Sequence, residues 1–277
     1  MNWHIGRQSI SLDVPKIMGI WNVSPDSFSS HVDRDEGLAL ASRLLCEGAD
    51  ILDVGAESTR PGSESVSVAT EMARLREPLG AARAQFDCPI SLDSRHLETI
   101  EWALEAHLID IVNDIGESDT PCEAREGRIY RLVRDSGIGL VVMAWGDHAS
   151  ASCDFDQCMR EIYDQLSRRI ELALRCGVMH DAIVVDPGIG FGKGLENDLR
   201  LIAEAPRALA PLGFPVLVAH SRKRCLARAT GLDVSELDWP TAVASALAMR
   251  SGASLVRVHS PKETLLARKL VVSSGIS

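Results

Sequence analysis

Asp93, Asn113 and Asp186 each stand at or near the end of a short apolar run. An ionised carboxylate accepts two parallel N–H bonds, and an Asn amide both donates and accepts. That set suits the amidine-like edge of a 2-aminopyrimidinone ring. A second set has the opposite character: Asn22, Arg60, Arg257 and His259, whose guanidinium and imidazole groups suit a phosphate or diphosphate. Another run leads into His220-Ser221-Arg222-Lys223. A buried polar group left without a partner costs about 1–3 kcal/mol, so polar groups at most of the run ends of one chain point to a ligand. Singly, some have plainer roles. Asp53 and Asp114 read as helix N-caps, His259 alone as a surface residue, and Lys223 as a solvated side chain at a helix start.

Three loops adjoin these groups. Residues 22–29 (NVSPDSFS) and 56–62 (AESTRPG) are rich in Ser, Pro and charge, as loops that order over a ligand often are. Residues 186–193 (DPGIGFGK) lack the GxxxxGK[ST] pattern of a phosphate loop. Their glycines are expected to let the backbone approach a flat ring closely.

Eight apolar runs carry the polar groups: residues 17–21, 51–54, 90–93, 109–113, 139–143, 183–186, 216–219 and 255–258. Helical periodicity fills residues 36–47, 68–83, 97–105, 128–135, 156–176, 195–209 and 241–251, as with Ile162, Leu166, Ile170 and Leu174. Continuous apolar strands imply a parallel sheet with both faces covered. Eight strand–helix repeats predict a single closed (β/α)8 TIM barrel, which places the run ends on one face. Residues 1–14 are expected to cap it, with a hairpin from Ile5 to Leu12. One domain is expected to span residues 1–277, near the usual length of such a barrel, roughly 250.

Composition narrows the partners. The chain has 277 residues, a net charge of −10 and only 4% aromatics. That charge argues against nucleic acid and requires a local basic cluster for any anionic substrate. The seven cysteines are scattered without a CxxC pair, which argues for cytoplasmic thiols over disulfides or zinc. No apolar stretch reaches the roughly 18 residues of a membrane span, and the N-terminus lacks a signal-peptide pattern.

These segments resemble the dihydropteroate synthase family, the sulfonamide target of folate synthesis. NVTPDSFSDGG is matched by residues 22–31, DxGGESTRPG by 53–62, SIDT by 91–94 and IND by 112–114. DPGIGFGK, SRK and VRVH stand at 186–193, 221–223 and 256–259. The resemblance implies a pterin pocket of Asp93, Asn113, Asp186 and Lys223. It implies diphosphate contacts from Asn22, Arg60, Arg257 and His259, with Mg2+ near Asn22. Thr59, Arg60, Pro61 and Ser221 would hold p-aminobenzoate. Catalysis would rest on Asn22, Asp93, Asn113, Asp186, Lys223, Arg257 and His259. The implied reaction joins a dihydropterin diphosphate to p-aminobenzoate and releases diphosphate. The family's usual homodimer would form through helices near the chain's end, where Ala242, Ala246, Leu247 and Met249 could face the barrel or a partner.

The sequence also departs from the family pattern. Ala56 and Ala219 replace glycines, Arg224 follows SRK where Ser is usual, and residues 143–148 read MAWGDH in place of an MHMRG-like segment. Loop one reads Ser30-His31-Val32-Asp33 without its Gly-Gly. These changes leave room for a pterin-binding paralogue with an altered or lost acceptor. A corrinoid-type, pterin-dependent methyltransferase would share the barrel and the Asp/Asn pocket, but has no use for Asn22, Arg60, Arg257 and His259.

Overall fold

A computed structural model describes residues 1–6, 8–23, 33–57, 66–116, 123–145 and 154–275. The eight apolar runs form eight parallel strands: β3 (Lys16–Asn22), β4 (Ile51–Gly55), β5 (Ile90–Asp93), β6 (Ile111–Asp114), β7 (Gly139–Met143), β8 (Ile183–Asp186), β9 (Leu217–Ala219) and β10 (Leu255–Val258). Their order is β8-β7-β6-β5-β4-β3-β10-β9. The two outer strands meet through a parallel bridge between Val185 and Val216, and the Val185 N–H donates to the Pro215 carbonyl at 2.9 Å. The sheet thus closes on itself as a (β/α)8 barrel.

Side chains on a strand alternate between faces, which sorts each run into an inner and an outer set. Met18, Ile51, Ile111, Val141, Val184, Leu217 and Leu255 pack inside the barrel with Trp3, Ile5 and Leu12. The alternate residues, such as Ile17, Leu52, Leu92, Val112, Val142, Val185 and Val218, join the larger cluster beneath the helices. Both faces of the barrel strands are largely buried, which is why the runs read as continuously apolar.

The N-terminal hairpin closes the lower end. It pairs β1 (Asn2–Ile5) with β2 (Gln8–Ser11), so it begins three residues before the Ile5 expected from sequence. Trp3 and Ile5 are fully buried, and the Trp3 indole N–H donates to the Ala182 carbonyl at 2.8 Å. The indole N–H that Trp3 carries into the interior is thereby satisfied.

Helices follow each strand: α1 (Asp33–Cys46), α2 (Val68–Gln85), α3 (Leu97–Glu105), α4 (Glu123–Ser136), α5 (Phe155–Arg175), α6 (Leu195–Leu209), then α7 (Arg224–Thr230) with α8 (Asp238–Arg250), and α9 (Pro261–Ser273). Ser67 caps α2 by accepting from the Thr70 N–H at 3.2 Å. Asp154 does the same for Gln157 in α5 at 2.8 Å. On α5, Ile162, Leu166 and Ile170 are buried, whereas Leu174, the last of the expected stripe, is 40% exposed. Helices α7 and α9 lie outside the periodic segments read from sequence.

Candidate active site at the barrel mouth

Two residues above the dry plug, the inward positions change character. On β4 the step from Ile51 reaches Asp53; on β6, from Ile111, it reaches Asn113. On β8 it leads from Val184 to Asp186, and on β10 from Leu255 to Arg257. Asp93 ends β5 in register with Asn113. A polar layer thus sits on an apolar floor, open toward the strand ends. Asp53, Asp93, Asn113 and Asp186 are all buried.

Arg257 organises one side of this layer. Its Nε donates to Asp53 at 2.6 Å and its Nη2 to Asp93 at 2.7 Å. Burial opposes the guanidinium charge, but Asp53 and Asp93 outweigh that and raise its pKa. Burial also pushes the Asp93 carboxyl up to about 7, with Arg257 pulling it down and Asp53 pushing it up. Among the described residues, the second oxygens of Asp53 and Asp93 have no hydrogen-bond partner. Asp53 is therefore not the helix cap expected from sequence: it is an internal counter-charge at mid-strand. Its parity with Ile51, two residues earlier, is the sequence signal for that role.

Opposite, Asp186 accepts the Gly188 N–H at 2.7 Å. Burial raises its pKa, while Lys223 and that N–H pull it down. Burial lowers the pKa of Lys223, with Asp186 opposing. The Lys223 ammonium bonds to the Ile189 carbonyl and stands 4.8 Å over the Phe191 ring. Phe191 in turn meets the Trp145 ring edge-on at 4.7 Å. Trp145 belongs to the segment that departs from the family pattern, and it buttresses the aromatic platform under Lys223.

Two glycines of the 186–193 turn, Gly188 and Gly190, are required by packing within the protein. Gly188 has φ of +69°, and a Cβ on it would lie 1.9 Å from the Ala144 carbonyl oxygen; one on Gly190 would lie 2.9 Å from the Lys223 side chain. Lys193 is buried, and its ammonium donates to the carbonyls of Ala144, Gly188 and Phe191 at 2.8, 2.9 and 3.2 Å. Burial lowers its pKa to about 8; it ties the turn together and does not reach the mouth. Gly188→Ala should therefore cost upwards of about 2 kcal/mol in stability. A thermal melt matching the parent would refute that packing argument.

Ser221 and His259 meet at the ends of β9 and β10. The His259 N–H donates to Ser221 Oγ at 3.1 Å, and the imidazole Nδ1 lies 3.0 Å from the same oxygen. Asn22 is exposed at the end of β3. Thr59, Arg60 and Pro61, with most of loop one, lie outside the described residues.

Asp114 has the opposite parity to Asn113 and faces the helices. It accepts from Arg125 at 3.1 Å and from Arg169 at 2.5 Å, and Arg169 pairs with Glu126 at 3.1 Å. Arg169 also donates to the Met143 carbonyl. Asp114 is thus the hub of a buried ion network holding the ends of β6 and β7, not the N-cap expected from sequence. His220 faces the helices as well. Fully buried, its pKa is pushed down to about 4, so it is neutral.

Of the two Gly→Ala departures, Ala56 packs in the outer core, away from the mouth. Ala219 is paired in register with Arg257 and adds its methyl group to the polar layer. Arg224 is exposed at the start of α7.

This geometry has close relatives. A family model described as pterin binding enzyme matches residues 18–259. The dihydropteroate synthase of Neisseria meningitidis serogroup C is 37% identical over 283 residues, covering 99% of this chain and 98% of its own. Among solved structures, Xanthomonas albilineans dihydropteroate synthase with 4-aminobenzoic acid superposes with a TM-score of 0.87 at 33% identity, covering 97% of this chain and 96% of that one. The Yersinia pestis enzyme in a sulfonamide drug complex gives 0.88 at 29% identity over 100% of both chains. A family model over residues 18–259, 37% identity over nearly the full length and a superposed barrel agree: the chain belongs to the pterin-binding enzyme family, among the dihydropteroate synthases.

Proposed function

We propose that the chain condenses 6-hydroxymethyl-7,8-dihydropterin diphosphate with p-aminobenzoate and releases diphosphate, in folate biosynthesis. One observation carries the reading. Asp93, Asn113 and Asp186 converge at the mouth, and a buried Asp93 oxygen has no partner among the described residues. A pterin's ring N–H and amino groups are the donors such a set lacks.

In this mechanism Asp93, Asn113, Asp186 and Lys223 bind and orient the pterin over the apolar floor. The C–O bond to the diphosphate breaks first and its electron pair leaves with the diphosphate. The negative field of Asp93 and Asp186 stabilises the methylene cation that remains. His259, Arg257, Asn22 and Arg60 would bind the departing diphosphate. The neutral arylamine, held by Ser221 with Thr59, Arg60 and Pro61, attacks the cation and then loses its proton.

The donors at the mouth fit Mg2+ in one manner only. Among the described residues no three His, Cys, Asp or Glu side chains are grouped to hold a metal. The exposed Asn22 amide is a hard oxygen donor suited to an ion held chiefly by diphosphate and water. Bound so, Mg2+ would neutralise charge building on the leaving group.

The deciding assay mixes purified protein, dihydropterin diphosphate, Mg2+ and p-aminobenzoate and follows diphosphate release. Tight pterin binding without release would favour a pterin-binding paralogue.

The elevated Asp93 pKa sets a pH dependence. A carboxylate accepts two N–H bonds and its protonated form does not, so pterin affinity should rise as pH increases through about 7. Calorimetric titrations at pH 6 and 8 check this, and Asp93→Asn should flatten the difference. A homodimer is part of the proposal. Trp239, Val243 and Leu247 on α8, with Leu270 on α9, are more than half exposed, whereas Ala242 and Met249 are buried on the barrel side. Sedimentation of the parent and Val243→Glu tests it. A cytoplasmic location belongs to the same proposal, supported by Cys46, Cys88, Cys176 and Cys225 standing outside any disulfide among the described residues.

A further inference from the structure

Ser221 and Lys223 can both reach the mouth because the residue between them turns the chain sharply. Arg222 has φ of +54°, in the left-handed region that a side chain with a Cβ disfavours. What holds this turn comes largely from α8. Arg222 Nε and Nη2 donate to the two oxygens of Asp238 at 2.8 and 3.0 Å. The Arg222 N–H donates to Thr241 Oγ1 at 3.3 Å. The preceding His220 places its Nε2 3.1 Å from the Thr241 carbonyl and 3.0 Å from Ser245 Oγ.

Beyond the turn, Ser221 engages His259 and Lys223 engages Ile189. The strained residue thus has a two-pronged ionic grip on one side and two substrate-facing neighbours on the other. An exposed ion pair commonly contributes little. This one is a planar fork on a carboxylate, with both side chains 31% exposed, and such a fork fixes direction as well as distance.

We propose that Asp238 is a positioning residue for the substrate site: by gripping Arg222 it holds the left-handed turn that presents Ser221 and Lys223 together. The inference rests on the reading of Ser221 and Lys223 as substrate-binding residues. It gives α8 an inner duty distinct from its exposed face.

The test compares the full chain with Asp238→Ala, Arg222→Gly and the double variant. Binding of 6-hydroxymethylpterin is read by calorimetry, KM for p-aminobenzoate by diphosphate release, and folding by thermal melt. If the ungripped turn is competent one time in ten, pterin affinity falls about tenfold in Asp238→Ala. Glycine adopts positive φ freely, so in the Arg222→Gly background removing Asp238 should change affinity by less than about twofold.

A surface ion pair acting on stability alone would give no such rescue. Parent-like binding by a folded Asp238→Ala overturns the proposal. So does a folded double variant as weak as Asp238→Ala. If Asp238→Ala does not fold, Asp238→Asn keeps the shape and one accepting oxygen, and the same glycine rescue is read against it. If the parent itself fails to bind 6-hydroxymethylpterin, the functional reading falls instead. Amide exchange at Arg222 and Lys223 then decides the grip: about tenfold faster exchange in Asp238→Ala supports it, and unchanged exchange overturns it.

Discussion

Asp186→Ala should lose more than about a hundredfold in pterin affinity, near 3 kcal/mol, while the barrel stays folded. Asp186 is buried beside Lys223 at the top of β8, and one of its oxygens already accepts the Gly188 N–H. Two effects should therefore be separable. Asp186→Asn can still accept from Gly188 and hold the turn, but it carries no charge to match a ring that donates twice. Weak binding by both variants, with Asn melting close to the parent, assigns the loss to the ligand contact. Unchanged calorimetric affinity in Asp186→Ala would mean the pocket has been placed on the wrong side of the barrel.

The second large effect is expected at Arg257, where chemistry and stability are joined. Removing one partner of a buried ion pair costs about 3–5 kcal/mol, and here the guanidinium serves both Asp53 and Asp93. Arg257→Ala should thus lower the melting temperature by roughly 6–20 °C at this chain length as well as slowing turnover. The loss should depend on pH. Without the cation, the Asp93 carboxyl loses the group that pulls it down and rises further above the value of about 7 that burial already gives it, away from its unfolded value near 3.9. The folded state then binds the extra proton, so stability falls as pH rises through that window and recovers toward acid. Melts at pH 5 and 8, with Asp53→Asn added to the Arg257→Ala background, test both points. Arg257→Ala melting like the parent at pH 8 would sink the argument.

The strands were legible because a parallel barrel dries both faces of each strand, turning eight segments into continuous apolar runs. The inward residues were legible for a related reason: Asp93, Asn113 and Asp186 interrupt apolarity at strand ends, where chemistry belongs. Asp53 and Asp114 were misassigned because position at a run's end was read without parity. Asp53 shares the inward phase of Ile51, whereas Asp114 falls one residue out of phase with Asn113. Arg169 and Asp238 left no local trace, since each acts through a partner distant in sequence: Asp114 lies on β6, and Arg222 precedes α7. Helix α7 is a single short stretch of seven residues. Helix α9 exposes Leu266, Leu270 and Val272, so its apolar residues do not form one inward stripe.

The closure between β8 and β9 is a narrow seam. Elsewhere neighbouring strands share ladders of three or more paired residues, but here the barrel is joined at the Val185–Val216 bridge. Asp186 stands next to that bridge on one bank; Ala219 and Lys223 continue from the other. A ring held by Asp186 and Lys223 together would act as a rivet across the joint. Substrate would then complete the wall as well as fill the cup, and breathing at β8 and β9 should subside when pterin arrives while β4 and β5 exchange as before.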